Sequence, residues 1–119
     1  MLRELALEQV RQAEHPQYPS RMACLYTSRT LDEAEKWAEF FRGLGRKVYS
    51  IMKLRVDGSV FDGDARNCFD GTENEAENIA NARRYWNMEQ NKCPVIETLV
   101  TGNIFVEEVV VDYAAEVAP

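Results

Sequence analysis

The stretch Cys93–Val111, CPVIETLVTGNIFVEEVVV, decides how the rest of the chain can fold. Two apolar segments rich in Val and Ile flank Thr101-Gly102-Asn103, and β-branched residues favour strands. A three-residue loop that contains Gly is typical of a β-hairpin with a bulge. The pattern therefore predicts a closing hairpin over about Val95–Val111.

Glu97 lies in the middle of the first predicted strand, between Ile96 and Thr98. Because side chains alternate along a strand, Glu97 shares one face with Val95 and Leu99. A carboxylate on such an apolar face either meets an Arg partner or borders a cleft. The alternative is an edge strand with mixed faces, on which Glu97 is a solvent-facing residue.

Helical and strand patterns alternate before this hairpin. Helices are predicted at residues 2–14, from the capping box Thr30/Glu33 to Gly43, and from the capping box Thr72/Glu75 to ARRYW; strands are predicted at Met22–Thr27, 47–56 and Val60–Phe61. The last helix is expected to bury Ala76, Ile79, Ala80 and Tyr85 or Trp86. This order predicts one compact α+β domain over residues 1–119, with three helices and a mixed or antiparallel sheet of about five strands.

Composition excludes several classes of protein. The chain has 119 residues, 45% of them hydrophobic, and a net charge of −6, which argues against general nucleic-acid binding. No apolar run approaches the roughly 20 residues of a membrane span, so we expect a cytoplasmic protein without a membrane segment. Three cysteines and one histidine provide no zinc-type spacing, and we expect no metal site.

The segment Tyr18–Thr30, YPSRMACLYTSRT, concentrates candidate binding residues on the borders of one strand. Arg21 could bind a phosphate through two hydrogen bonds, and Tyr26 could stack on a planar ring. The alternative is that Arg21 is a surface charge and Ser28 a turn residue.

Four stretches of the chain resemble a small bacterial and phage family with an ADP-ribosyltransferase-like fold. They are YPSRMACLYTSRTLDEAEKWA, VYSIMKLRVDGSVFDGD, ARRYW and IETLVTGNIFV, and the resemblance covers roughly residues 4–111. In such folds a strand that ends in hydroxyl or aromatic residues precedes a helix with an acidic first turn, and LYTSRTLDEA is similar. A later strand carries a Glu, apolar residues and a Gly, and ETLVTG is similar.

The resemblance implies an NAD-binding cleft in which Glu97 is the catalytic residue and stabilises an oxocarbenium-like state. It also implies that Tyr26 stacks near nicotinamide and that Ser28 lines the same cleft. Two features depart from the family: its first NAD-binding strand has no counterpart, and Val95 replaces the first acid of a Glu-x-Glu pair. The alternative is a non-catalytic acidic interaction protein, of phage or mobile-element origin, that binds a host protein. A homodimer formed through the apolar segment IFVEEVVV is a further alternative.

Overall fold

The computed structural model of the chain describes residues 2–114. Met1 and residues 115–119 lie outside this range, so the limits of the domain at 1–119 stay a prediction. Three α-helices and five strands confirm the predicted α+β class. In chain order the elements are α1 (Leu2–Glu14), β1 (Leu25–Thr27), α2 (Leu31–Gly43), β2 (Ser50–Asp57), β3 (Val60–Asp64), a 3-10 helix (Ala65–Asn67), α3 (Glu75–Trp86), β4 (Ile96–Val100) and β5 (Asn103–Asp112).

The five strands form two antiparallel sheets instead of the single sheet that was predicted. The first sheet has the order β1-β4-β3, and the second consists of β2 and β5. The predicted closing hairpin is wrong, because β4 and β5 pair with different strands and not with each other. The segment at Thr101-Gly102 therefore joins two successive strands and does not reverse the chain.

The two sheets are consecutive parts of one bent ribbon. Its two antiparallel segments are β2 followed by β3, and β4 followed by β5. Backbone hydrogen bonds continue the pairing across the bend, from Ser59 N to the Thr101 carbonyl (3.2 Å) and from Thr101 N to the Ser59 carbonyl (3.0 Å). Gly58 and Gly102 face each other at this point, and Gly102 has φ +105°. Such a φ favours glycine, and the missing side chains let the two backbones approach.

The helix ends are set by local side-chain chemistry. Thr30 accepts a hydrogen bond from Glu33 N at 3.1 Å, which is one of the two bonds of the predicted capping box, whereas the Glu33 carboxylate pairs with Arg29. Helix α2 ends at Gly43 as predicted. The predicted cap of α3 by Thr72 and Glu75 is wrong. Asn74 caps this helix by accepting a hydrogen bond from Glu77 N at 3.1 Å, since an Asn side chain is an equally good cap.

The hydrophobic core lies between α1, α3 and one face of the three-stranded sheet. Its buried members are Ala6, Leu7, Val10, Phe61, Ala82, Tyr85, Trp86 and Leu99. The indole of Trp86 donates to the Leu7 carbonyl at 2.8 Å and so ties α3 to α1. Tyr85 and Trp86 are both buried, whereas Ala76 and Ala80 are exposed because they lie on the face of α3 that is turned away from this core. Ile79 is half-buried.

The helix α2 lies on the opposite face of the three-stranded sheet. The indole of Trp37 donates to the carbonyl of Ile96 in β4 at 3.0 Å. Ile96 and Thr98 alternate with Glu97 and Leu99, so α2 covers the face that α1 and α3 leave free. No helix within residues 2–114 is both long and apolar enough to cross a membrane.

We expect Gly58→Ala to lower the free energy of unfolding by about 1–3 kcal/mol, because overpacked positions cost about that much. A Cβ at this position would lie 2.8 Å from Gly102 Cα. Urea denaturation followed by circular dichroism measures the change. The matched control is Gly43→Ala, where a Cβ would meet nothing within 4 Å. Equal destabilisation by the two substitutions would show that the bend does not require glycine.

Candidate functional site

Glu97, Arg21 and Tyr26 meet on the face of the sheet that α1 and α3 cover. Arg21 Nη1 donates to Glu97 Oε1. The Arg21 guanidinium carbon lies 5.4 Å from the centroid of the Tyr26 ring, and the Tyr26 hydroxyl donates to the Arg21 carbonyl at 2.6 Å. Because β4 is the central strand of its sheet, the edge-strand alternative for Glu97 is wrong. The Arg partner that the sequence allowed for Glu97 is Arg21.

Tyr85 is the residue of this cluster that sequence reasoning assigned only to the core. Its hydroxyl donates to Glu97 Oε1 at 2.7 Å and accepts from Arg21 Nη1 at 3.0 Å. Gly63 lies opposite Glu97 on β3, and a Cβ there would come within 2.8 Å of Tyr85 Cζ. The glycine therefore leaves the space in which the Tyr85 ring reaches the carboxylate. A signal was available, because a buried tyrosine needs a hydrogen-bond partner for its hydroxyl.

Two further side chains complete what we call the Glu97 cluster: Glu97, Arg21, Tyr26, Tyr85, Glu4 and Cys68. Glu4 of α1 accepts from Arg21 Nε at 3.0 Å, so Arg21 bridges two carboxylates. The Cys68 thiol lies 3.8 Å from Glu97 Oε1. Helix α1, the Pro-containing segment after it, β1, α3 and β4 thus all contribute to one site.

Burial and charge define the protonation states in this cluster. The side chains of Arg21 and Glu97 are 9% and 13% exposed. Burial acts against the charge on Arg21, but the Glu97 carboxylate and the hydrogen bond to Glu4 raise its pKa above the ordinary value. Burial, and then the Glu97 carboxylate, raise the pKa of Tyr85, and burial raises the pKa of Cys68 to about 12. Phenol and thiol are therefore protonated at neutral pH, so each has a proton to donate towards the carboxylate.

The two oxygens of the Glu97 carboxylate have different surroundings. Arg21, Tyr85 and Cys68 all approach Oε1. Within residues 2–114, Oε2 has no hydrogen-bond partner, and no buried side-chain oxygen of this range lacks one. Solvent therefore reaches Oε2. The carboxylate is held in place by one oxygen and can accept a hydrogen bond from an external donor with the other.

Ser28 follows β1 and lines a groove of about 780 Å³ on the α2 side of the sheet. Tyr26 and Arg29 also border this groove, together with Asp62 and Thr98. Thr98 Oγ1 donates to Asp62 Oδ1 at 2.6 Å. Within the described range, Ser28 makes no hydrogen bond to Arg21 or Glu97, so the structure brings three of the four predicted site residues into direct contact.

The described part of the chain, residues 2–114, has no grouped metal-binding side chains. Over residues 2–114, no set of three or more His, Cys, Asp or Glu side chains is placed to hold a metal ion. Asp64, the most buried carboxylate of this range, accepts hydrogen bonds from Arg66 N, Asn91 N and Val95 N at 2.8–3.0 Å. Its role is to hold together the loops that precede α3 and β4.

The chain belongs to the family described as "Protein of unknown function (DUF2441)", whose model matches residues 1–112. No curated protein matches the chain. The match covers every element described above, including the Glu97 cluster. The family description names no activity for that cluster.

We expect Arg21→Met to lower the free energy of unfolding by about 3 kcal/mol, since it leaves the Glu97 carboxylate buried without its counter-charge. Glu97→Gln in the same background should recover part of this loss. A double-mutant cycle measured by denaturant unfolding should give a coupling of at least about 1.5 kcal/mol.

The matched control is the pair Lys36–Asp32, which is 3.3 Å apart but 75% and 78% exposed. Its cycle of Lys36→Met and Asp32→Asn should give a coupling below about 0.5 kcal/mol. A coupling for Arg21 and Glu97 no larger than that of the control would contradict the role assigned to the buried pair.

Proposed function

We propose that the chain is an ADP-ribosyltransferase-like protein that binds NAD at the Glu97 cluster. The observation that supports this proposal is the asymmetry of the Glu97 carboxylate. Arg21 and Tyr85 hold Oε1, whereas Oε2 is reached by solvent. A carboxylate that is oriented before a ligand arrives can oppose positive charge in a transition state without reorganisation.

The proposed chemistry requires that kind of group. In ADP-ribosyl transfer the bond between ribose C1′ and the nicotinamide nitrogen breaks, and its electron pair leaves with nicotinamide. The ribose carries the positive charge until a nucleophile of the target bonds to C1′ and loses a proton. Glu97 Oε2 would accept a hydrogen bond from a ribose hydroxyl, and the carboxylate would stabilise the cationic ribose.

Tyr26 and Arg21 have separate roles in this proposal. The Tyr26 side chain is 48% exposed, so its ring is accessible for stacking on nicotinamide. Arg21 is 9% exposed, and its hydrogen bonds to Glu97 and Glu4 occupy Nη1 and Nε. We therefore assign Arg21 the positioning of Glu97 in place of the free phosphate contact suggested by its residue type. Ser28 lies in the groove on the α2 side of the sheet, away from the Glu97 cluster, so it has no role in NAD binding in this proposal.

Glu97→Gln is expected to leave the fold intact and to remove turnover. The amide oxygen still accepts hydrogen bonds, but the negative charge is lost, and the release of nicotinamide from NAD should fall by about 100-fold or more. Isothermal titration with millimolar NAD measures binding, and thermal unfolding reports on the fold.

Glu107→Gln is the matched control, since Glu107 is also a strand glutamate but is exposed on β5. This variant should match the wild-type protein in NAD binding, nicotinamide release and thermal unfolding. Absence of heat on titration of NAD into the folded wild-type protein would overturn the proposal. Loss of turnover in both variants would contradict the catalytic role assigned to Glu97.

The second candidate is a non-catalytic interaction protein that binds a host protein. The observation that favours it is the exposed apolar surface of the β2–β5 sheet. Its most exposed apolar side chains, 39–58% accessible, are Met52, Phe105, Val106, Val109 and Val110. Among residues 2–114, neither strand has a second neighbour in its sheet, so both backbone edges are open to a partner strand.

The substitutions Val106→Lys and Val109→Lys test this second candidate. If the surface binds a partner protein, both should abolish capture of that protein from a host lysate, because a lysine in the contact is desolvated without a counter-charge. Leu44→Lys is the control, at a 60% exposed position outside the sheet. Sedimentation of the wild-type protein alone separates this outcome from a homodimer. If both variants still captured the partner protein as the wild-type protein does, the β2–β5 surface would be excluded as its binding site.

A further inference from the structure

A pocket of about 470 Å³ lies between α2 and the start of β4, away from the Glu97 cluster. Its apolar wall consists of Trp37, Phe40, Ala65, Pro94, Val95 and Ile96. This volume lies within the range of small-molecule sites, which are mostly apolar with a few polar groups. Glu97 does not line this pocket, since its side chain faces α1 and α3.

Two aromatic rings of α2 form one side of the pocket. The Trp37 indole is fixed by its hydrogen bond to the Ile96 carbonyl at 3.0 Å. Phe40 packs edge-on against Trp37, with 5.8 Å between ring centroids, and remains 53% exposed. An aromatic ring that enters the pocket would therefore meet a pre-oriented aromatic wall.

The charges at the rim are predominantly positive. Arg66 and Lys36 are exposed, and Arg66 makes no ion pair within residues 2–114. Lys36 pairs with Asp32 only at an exposed position, where such a pair is weak. The one carboxylate on the rim, Glu33, is already bound by the Arg29 guanidinium at 3.0 Å. In a chain of net charge −6, this is a local site that favours an anion.

We propose that this pocket binds a small aromatic carboxylate. The ring of the ligand lies against Trp37 and Phe40, and its carboxylate lies at the rim near Arg66 and Lys36. Arg66 is well placed for this role because its backbone is anchored, with Arg66 N donating to Asp64 Oδ1 at 3.0 Å. The positive charge at the rim disfavours neutral aromatic molecules, and the aromatic wall disfavours aliphatic acids.

The experiment is a titration of the full chain with naphthalene-2-carboxylate, followed by the indole N–H signals in NMR spectra. The Trp37 signal, assigned with Trp37→Phe, should shift and saturate with a dissociation constant of about 0.1–1 mM. The signal of the buried Trp86 should stay in place. The neutral naphthalene-2-carboxamide should bind about three- to fivefold more weakly, because it lacks the charge.

Variants at the rim separate charge recognition from unspecific adsorption. Arg66→Gln should weaken binding of naphthalene-2-carboxylate about two- to threefold, whereas Arg84→Gln, an exposed arginine on α3, should not change it. Three results would overturn the proposal: no saturable shift of Trp37 up to about 10 mM, equal binding of the carboxamide, or equal shifts of both indoles. Displacement of the probe by NAD would overturn the assignment of a separate site.

Discussion

The constraint on which this structure depends is the burial of the Glu97 carboxylate in a central strand. A charge that is largely removed from water needs a counter-charge and hydrogen-bond donors. Arg21 and Tyr85 supply them, and each is available only through another feature of the chain. The segment after α1 brings Arg21 over the sheet, and Gly63 leaves room for the Tyr85 ring. The packing of α1 and α3 and the geometry of the cluster therefore depend on each other.

The three-stranded sheet separates two chemically different surfaces. On one face, α1 and α3 enclose the Glu97 cluster, in which a carboxylate oxygen is turned to solvent. On the other face, α2 presents aromatic rings, and the rim at Lys36 and Arg66 is positive. Adjacent residues of β4 contribute to both, because Ile96 and Glu97 point in opposite directions. A short strand thus links two surfaces that need not bind the same ligand.

Local sequence patterns predicted the helices and much of the strand content. Strand pairing could not be predicted, because it depends on contacts between distant segments. The helical periodicity of residues 2–14 and the cap at Thr30 are local features, and the structure confirms both. The face shared by Glu97 and Leu99 follows from strand alternation alone. The predicted hairpin is wrong because Gly102 indicates a bend but does not specify the strand with which the segment after the bend pairs. Tyr85 was missed for a similar reason, since its contact with Glu97 depends on Gly63 in a third segment.

The continuous pairing through the bend has a consequence for how this chain can change in length. Strand β4 is followed by β5 after only two residues, and β3 follows β2 after two residues as well. An inserted or deleted residue at either junction would have to be absorbed there, or it would reverse which side chains face inward along a whole strand of one sheet. Compensation would require a matching change in the opposite segment, so the two junctions are expected to gain and lose residues together.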